Sequence, residues 1–152
     1  MAFLSSMNIT ASGLTAQQLR LDVISENVTN STTTRVQNGE GSYRRKMVVF
    51  EAKTGRDGFR RAMARASSGM VPNGRASGGV RVAQIVDDPS PMKLVYDPTH
   101  PDANEDGYVE MPNVDMVKEI TDAMAATQAY SANVTMFNTM KAVISDGLQI
   151  GK

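Results

Sequence analysis

The sequence predicts an α+β fold in which long N- and C-terminal helices pair in a coiled-coil-like manner and flank a small antiparallel β insert. Apolar residues recur at spacings of three and four over the first 30 residues and again near the C-terminus. Alternating, β-branched runs occur only in the middle of the chain. The predicted division assigns residues 1–34 and 110–152 to one helical domain and residues 35–109 to the insert, with a mobile basic loop at about 53–77.

The N-terminal helix is predicted to run from residue 3 to about residue 30. Its apolar residues form the narrow stripe of an amphipathic helix. Gly13 lies inside this pattern and is expected to weaken the helix locally. Residues 29–34 are polar, with side chains that compete for backbone hydrogen bonds, so the helix is expected to end there.

Three strands are predicted over residues 43–52, 79–86 and 92–96, and they are expected to form one small sheet. Pro89 and Pro91 separate the second strand from the third. Between the first two strands the chain is rich in Gly, Arg and Ser. A short helix over residues 57–66 fits part of this stretch, and the rest is expected to be mobile.

The C-terminal helix, predicted over residues 116–148, has the longest periodic pattern in the chain. At ~1.5 Å per residue it is about 50 Å long. Asp115 and Glu119 lie near its start, where the helix dipole favours negative charge. Pro112 and Asn113 precede it as start signals, and Gly147 weakens its end.

Both apolar stripes are too long and too narrow to be covered by the short β segment between them. The helices are therefore expected to pair with each other and with helices of other subunits. The residues predicted to pack between subunits are Leu4, Met7, Leu14, Leu21, Ile24, Ile120, Met124, Tyr130, Val134, Phe137, Ile144 and Leu148.

The charge of the chain is bipolar, although the net charge is zero. Residues 44–81 carry ten Lys or Arg and two acidic residues, whereas residues 87–122 carry ten acidic residues and two Lys. Such a chain can neutralise itself internally or stack on copies of itself, and the pattern leaves both open.

Several classes of function are disfavoured by composition. The chain has no cysteine, which removes disulfides and thiolate chemistry. No apolar run exceeds four residues, and the N-terminus lacks the pattern of a cleaved secretory signal. His100, the only histidine, lies in a polar turn with nothing that would arrange it as a catalytic base. No catalytic, cofactor or metal site is predicted, and the chain is not expected to be an enzyme.

Two binding interpretations remain as alternatives. Residues 102–107 match the first half of a calcium-binding loop, but Asn113 occupies the position where a bidentate Glu is needed. The basic clusters at residues 44–46 and 60–61 suggest a soluble module that binds nucleic acid or an acidic partner. No recognition-helix pattern accompanies them, so a solvated basic loop is the simpler interpretation.

Several segments resemble the flagellar rod and hook axial protein family. Residues 19–30 resemble its N-terminal signature, in which a helix ends in a pair of Asn residues followed by small polar residues. Residues 107–115 resemble the segment that opens the C-terminal helix of that family, and residues 129–134 resemble a later part of it. Residues 94–98 and 100–103 are similar to a proximal-rod member. The motif positions are Asn27, Asn30, Tyr96, Pro98, Gly107, Tyr108, Pro112, Asn113, Val114, Asp115 and Asn133.

The resemblance implies a structural subunit of the flagellar basal body, exported without a cleaved signal by the flagellar type III apparatus and assembled helically in the periplasm. The implied partners are other copies of the chain and other rod proteins, namely FlgB, FlgF, FlgG and the junction protein FliE, with no nucleic acid and no small-molecule substrate. Asn27 and Asn30 are expected to cap the helix and form its exit turn, and Asn133 to fix register between subunits. Residues 56–77 have no counterpart in the family pattern.

Overall fold

The computed structural model describes residues 2–36, 41–53, 63, 66 and 78–150, which include two long helices and four short strands. The side chains of residues 2–4 and 150 lie outside this description. The elements, in chain order, are α1 (Ala2–Thr29), β1 (Lys46–Ala52), β2 (Val80–Asp87), β3 (Lys93–Tyr96), β4 (Tyr108–Met111) and α2 (Met116–Ile150). None of the described helices is long and apolar enough to span a membrane.

The chain forms two compact units. The first unit contains Met1–Gln17, Phe50–Ala83 and Gln128–Lys152, and the second contains Gln18–Val49 and Gln84–Thr127. Each unit therefore contains part of both helices.

In the first unit α1 and α2 pair in antiparallel fashion, because Thr10 contacts Met140 while Gly13 contacts Asn133. A Cβ atom at Gly13 would lie 3.1 Å from the Asn133 Oδ1 atom. The expectation that Gly13 weakens the helix overlooked this packing, since the missing side chain gives the Asn133 amide its space. The Asn133 Nδ2 atom donates a hydrogen bond to the Ala129 carbonyl, within its own helix.

Strands β1 and β2 pair, and their end contacts show that they run in opposite directions. The Lys53 N–H donates to the Gly79 carbonyl at one end, and the Asp88 N–H donates to the Arg45 carbonyl at the other. Within the first unit, Ser12 of α1 accepts a hydrogen bond from the Val80 N–H at 3.1 Å. The start of β2 can approach α1 closely because Gly79 has no side chain to meet Ser12.

In the second unit, β3 and β4 pair antiparallel with Leu94 opposite Glu110 and Tyr96 opposite Tyr108. The buried apolar residues of this unit are Val23, Ile24, Tyr43, Val109, Val114 and Ala126. Buried polar residues are about as numerous as apolar ones, which makes this an unusually polar core.

The sequence predicted both helices to within about two residues at each end, and it predicted β1, β2 and β3. The expectation of one sheet is wrong, because the strands form two two-stranded sheets, and β4 is an additional strand that the sequence did not predict. The predicted helix over residues 57–66 lies outside the described residues except for Met63 and Ala66, both helical. The division at residues 34/35 and 109/110 stays a prediction.

Candidate assembly site

Asn27, near the C-terminal end of α1, lies at the centre of a buried polar cluster in the second unit. Its side chain is only 1% exposed, and its amide uses all four of its hydrogen-bonding positions. The amide nitrogen donates to the Lys46 carbonyl and to Glu119 Oε2, at 2.9 and 3.1 Å. The amide oxygen accepts from the Lys46 N–H and the Tyr43 hydroxyl, each at 2.9 Å. The amide thus joins α1, β1 and α2 within this unit.

Arg45 supplies the positive charge of the cluster. Its Nε atom donates to Glu119 at 2.6 Å, and its terminal nitrogens lie 3.3 Å from Asp88 and 3.4 Å from Asp122. The Glu119 side chain is 0% exposed, whereas that of Asp122 is one-third exposed and also pairs with Arg20 at 3.1 Å. We call Asn27, Tyr43, Arg45, Asp88, Glu119 and Asp122 the buried polar cluster.

The proton affinities within the cluster follow from these contacts. Burial, together with the negative charges of Glu26, Asp87 and Glu119, raises the pKa of Tyr43 to about 12. Burial alone would lower the pKa of Arg45, but the hydrogen bond and charge of Glu119 raise it overall. Hydrogen bonds from Ser90, and then from Arg45, hold the pKa of Asp88 below its usual value. The cluster therefore keeps a neutral phenol beside a fixed guanidinium.

The segment before α2 ties the helix start to the cluster. Asn113 accepts a hydrogen bond from the Arg45 N–H at 2.8 Å and donates to the Ser90 carbonyl at 3.1 Å. Pro112 and Val114 are buried on either side of it. Asp115 Oδ1 accepts from the Val117 N–H at 3.0 Å, which makes Asp115 the N-cap of α2.

The remaining motif positions of the second unit surround the β3–β4 connection. Gly107 has φ +79° and its N–H donates to the Asn104 carbonyl, which closes a turn before β4. A Cβ atom at Gly107 would lie 3.0 Å from Tyr96 and 3.3 Å from Pro98, so only glycine fits both the backbone and the space. Tyr96 and Tyr108 meet edge to face, with ring centroids 5.3 Å apart.

The expectations for Asn27 and Arg45 need correction. Asn27 does not cap α1; it is buried against β1 because the strand begins beside the helix end. Asn30 does form the exit turn, donating to the Glu26 carbonyl and accepting from Thr33. Glu119 lies in the first turn of α2, as expected, and is also the buried partner of Arg45, so Arg45 is not part of a solvated loop. The charge of Arg45 is therefore neutralised within the chain and not by stacking on another copy.

The residues predicted to pack between subunits fall into three sets. Ile24 is buried within the single chain, and its packing between subunits stays a prediction. Ile120, Met124 and Leu148 are exposed. The half-buried set is Met7, Leu14, Leu21, Tyr130, Val134, Phe137 and Ile144, and the Leu4 side chain lies outside the described residues.

In the second unit, α2 carries an exposed apolar stripe formed by Met116, Val117, Ile120 and Met124. Val117 is 73% exposed and Met124 is 69% exposed. The four positions lie within about 100° of one another around the helix axis, at 3.6 residues per turn. Glu119 and Ala126 lie on a different side and are fully buried. The helix is thus held by one side and offers an apolar surface on another.

The acidic turn that partly matches a calcium loop is already hydrogen-bonded. Asp102 accepts from Thr34 at 2.8 Å and pairs with Arg35, and these contacts hold the pKa of Asp102 below its usual value. The Asn104 side-chain oxygen accepts from the N–H groups of Asp106 and Tyr108. His100 Nδ1 accepts from the Asp102 N–H. Across the described part of the chain, no three acidic or histidine side chains are grouped as metal ligands.

Comparison of the sequence with known protein families identifies the class of protein. Residues 7–36 match the family described as "Flagella basal body rod protein", and residues 105–150 match "Flagellar basal body rod FlgEFG protein C-terminal". These regions contain most of α1 and α2 and the segment that opens α2. The chain is therefore a structural protein of the flagellar basal-body rod class.

Full-length relatives define the family. The chain is 45% identical to the flagellar basal-body rod protein FlgC of Bacillus subtilis, over 97% of both chains. It is 41% identical to FlgC of Borreliella burgdorferi over 99% of this chain and 98% of the relative. It is 38% identical to FlgC of Escherichia coli O6:H1 over the whole of both. The chain belongs to the FlgC family, and a rod subunit is favoured over a soluble nucleic-acid-binding module.

Proposed function

We propose that the chain builds the rod by helical stacking of copies through α1 and α2, as part of the drive shaft that carries torque from motor to hook. The observation that supports this most strongly is the exposed apolar stripe of α2. A stripe of this kind costs solubility in a monomer and is explained by a neighbour that covers it.

The energy of the proposed contact is of the right size for a specific assembly. Fully burying one large apolar side chain is worth about 1.5–3 kcal/mol. Val117, Ile120 and Met124 are each more than half exposed in the single chain. Their burial at every contact along a filament would contribute toward the cost of ordering the helices.

The helix ends in the first unit are proposed to be poorly ordered in the free monomer and to become ordered on joining the rod. Among the described side chains of that unit, only Thr10, Ser12 and Ala16 are buried, and all three are small. Circular dichroism of the free monomer tests this. The proposal expects fewer helical residues than the 28 of α1 and 35 of α2 together. A fully helical monomer would contradict this coupling.

The proposed neighbours are other copies of the chain and the rod proteins FlgB, FlgF and FlgG together with FliE. The proposed location is the periplasmic rod, reached through the flagellar type III export apparatus. The role is mechanical and needs no catalysis.

The sharpest test of the assembly proposal is Met124→Asp in a strain that lacks the native gene. The side chain is exposed, so the monomer should fold normally while rod growth fails. The control is Lys118→Asp, which should support motility, because Lys118 is exposed and lies about 150° around the α2 axis from the centre of the apolar stripe. Basal bodies are imaged by electron microscopy and motility is scored on soft agar. Normal rods with both Met124→Asp and Val117→Asp present would refute the stripe as an assembly surface.

A further inference from the structure

One face of the β3–β4 pair is left open in the second unit. Because side chains alternate along a strand, Leu94 and Tyr96 of β3 share a face with Tyr108 and Glu110 of β4. Leu94 is 63% exposed and Tyr96 is 65% exposed. We call these four residues the ribbon face. Its exposed aromatic and aliphatic surface lies apart in sequence from the stripe of α2.

A polar cavity of about 430 Å³ borders the ribbon face. Leu94, Tyr108 and Glu110 line both the face and the cavity, and Arg35 and Asp102 line the cavity as well. Asp102 is occupied by Thr34 and Arg35. Within the described residues, by contrast, the Glu110 carboxylate has neither a hydrogen-bond donor nor an ion-pair partner. The cavity thus offers one uncommitted carboxylate beside an exposed tyrosine ring.

The charge around this surface selects the kind of partner. Residues 94–115 contain six acidic residues and no Lys or Arg, and Arg35, which also lines the cavity, is paired with Asp102. A guanidinium group stacks on a tyrosine face and pairs with a carboxylate, and the arginine stem packs on apolar side chains. Tyr96 or Tyr108, Glu110 and Leu94 supply those three features side by side. The ribbon face therefore fits an arginine side chain better than a neutral or acidic one.

The chain itself carries a segment of this chemistry. Residues 54–77 contain five Arg and one Asp, with no other charged residue. We propose that the ribbon face of one copy docks the arginine-bearing segment, residues 54–77, of a second copy. This rests on the proposed function in that copies must be neighbours, but it concerns a different surface from the α2 stripe.

Crosslinking tests the contact directly, because the chain has no cysteine. One variant carries Ala103→Cys, which lines the cavity, and the other carries Arg65→Cys. Mixed full-length chains treated with a short bismaleimide should give a heterodimer that is lost in about 1 M salt, where the Debye length is only about 3 Å. Pairing Arg65→Cys with Ser145→Cys, an exposed position on α2, is the control and should give none. Equal yields from the two pairs would overturn the proposal.

A labelled peptide of residues 54–77 titrated into the full chain measures the contributions by fluorescence anisotropy. Tyr96→Ala should raise Kd about two- to fivefold, the size of an exposed cation–π contact. Glu110→Gln should raise it similarly, whereas Asp146→Asn, which removes an exposed charge from α2, should leave it unchanged. Binding that is unaffected by Tyr96→Ala and Glu110→Gln would overturn the proposal.

The tests also separate this contact from its competitors. A chain carrying both Ala103→Cys and Arg65→Cys that crosslinks only within itself would show that the segment covers its own ribbon face, which contradicts docking between copies. If the cysteine variants give no heterodimer but still form normal rods, and Met124→Asp forms none, the ribbon-face contact is overturned while the α2 assembly surface stands.

Discussion

Glu119→Gln removes the negative charge at the centre of the buried polar cluster while keeping the volume of the side chain. Arg45 would then retain only Asp88 and the partly exposed Asp122, at 3.3 and 3.4 Å. Removing one partner of a buried ion pair typically costs about 3–5 kcal/mol, because the other charge stays buried and undercompensated. For a chain of this size that corresponds to a fall in Tm of roughly 10 °C.

The measurement is urea unfolding followed by circular dichroism, with Asp122→Asn as the matched control. Asp122 also contacts Arg45, but its side chain is one-third exposed, so its loss should cost below about 1 kcal/mol. The double variant Arg45→Met/Glu119→Leu should recover much of the stability, since apolar residues can replace a buried ion pair. A free energy of unfolding for Glu119→Gln that equals that of Asp122→Asn would refute the reasoning.

Three further predictions concern the second unit. In a spectrophotometric titration of tyrosine ionisation, the transition near pH 12 should vanish in Tyr43→Phe. Because the pKa of Tyr43 is raised in the folded state, the stability that the neutral phenol contributes is complete below about pH 10 and is lost as the pH rises through about 12. Native-like stability at pH 12.5 would contradict this prediction. Asn27→Ala leaves several buried groups unpaired and should lower the free energy of unfolding by at least about 2 kcal/mol, against below about 1 for Asn30→Ala, and comparable losses would count against the cluster. Gly107→Ala should destabilise the fold by about 2–3 kcal/mol in chemical denaturation, more than Gly41→Ala, which shares a positive φ but has nothing within 4 Å; equal effects would show that the backbone alone matters.

The helices were predictable because their apolar periodicity extends over many turns, so a single residue of low helix propensity such as Gly13 does not obscure the pattern. Strand β4 was not, because four residues between Gly107 and Pro112 give too short an alternation to recognise. The exposed residues of α2 were partly predictable, as Ile120 and Met124 were named from spacing alone.

The buried polar cluster could not be predicted from the sequence. Its members come from four separated parts of the chain, and no local pattern tells a buried Arg45 from the exposed Arg44 beside it. The Asn27 and Asn113 motif positions were visible, but their role was not, because it depends on which backbone groups β1 brings to them. Burial of charge is a property of tertiary contacts, which periodicity does not encode.

The residues of the buried polar cluster are widely separated along the chain. Asn27 precedes Arg45, Asp88 follows both, and Glu119 comes later still, so the one fully buried carboxylate that contacts the guanidinium is present only once the final quarter of the polypeptide is there. Arg45 and Asp88 can pair before α2 forms, but Glu119 and Asp122 both lie on α2, so the four-residue charge network is complete only when the last helix has formed.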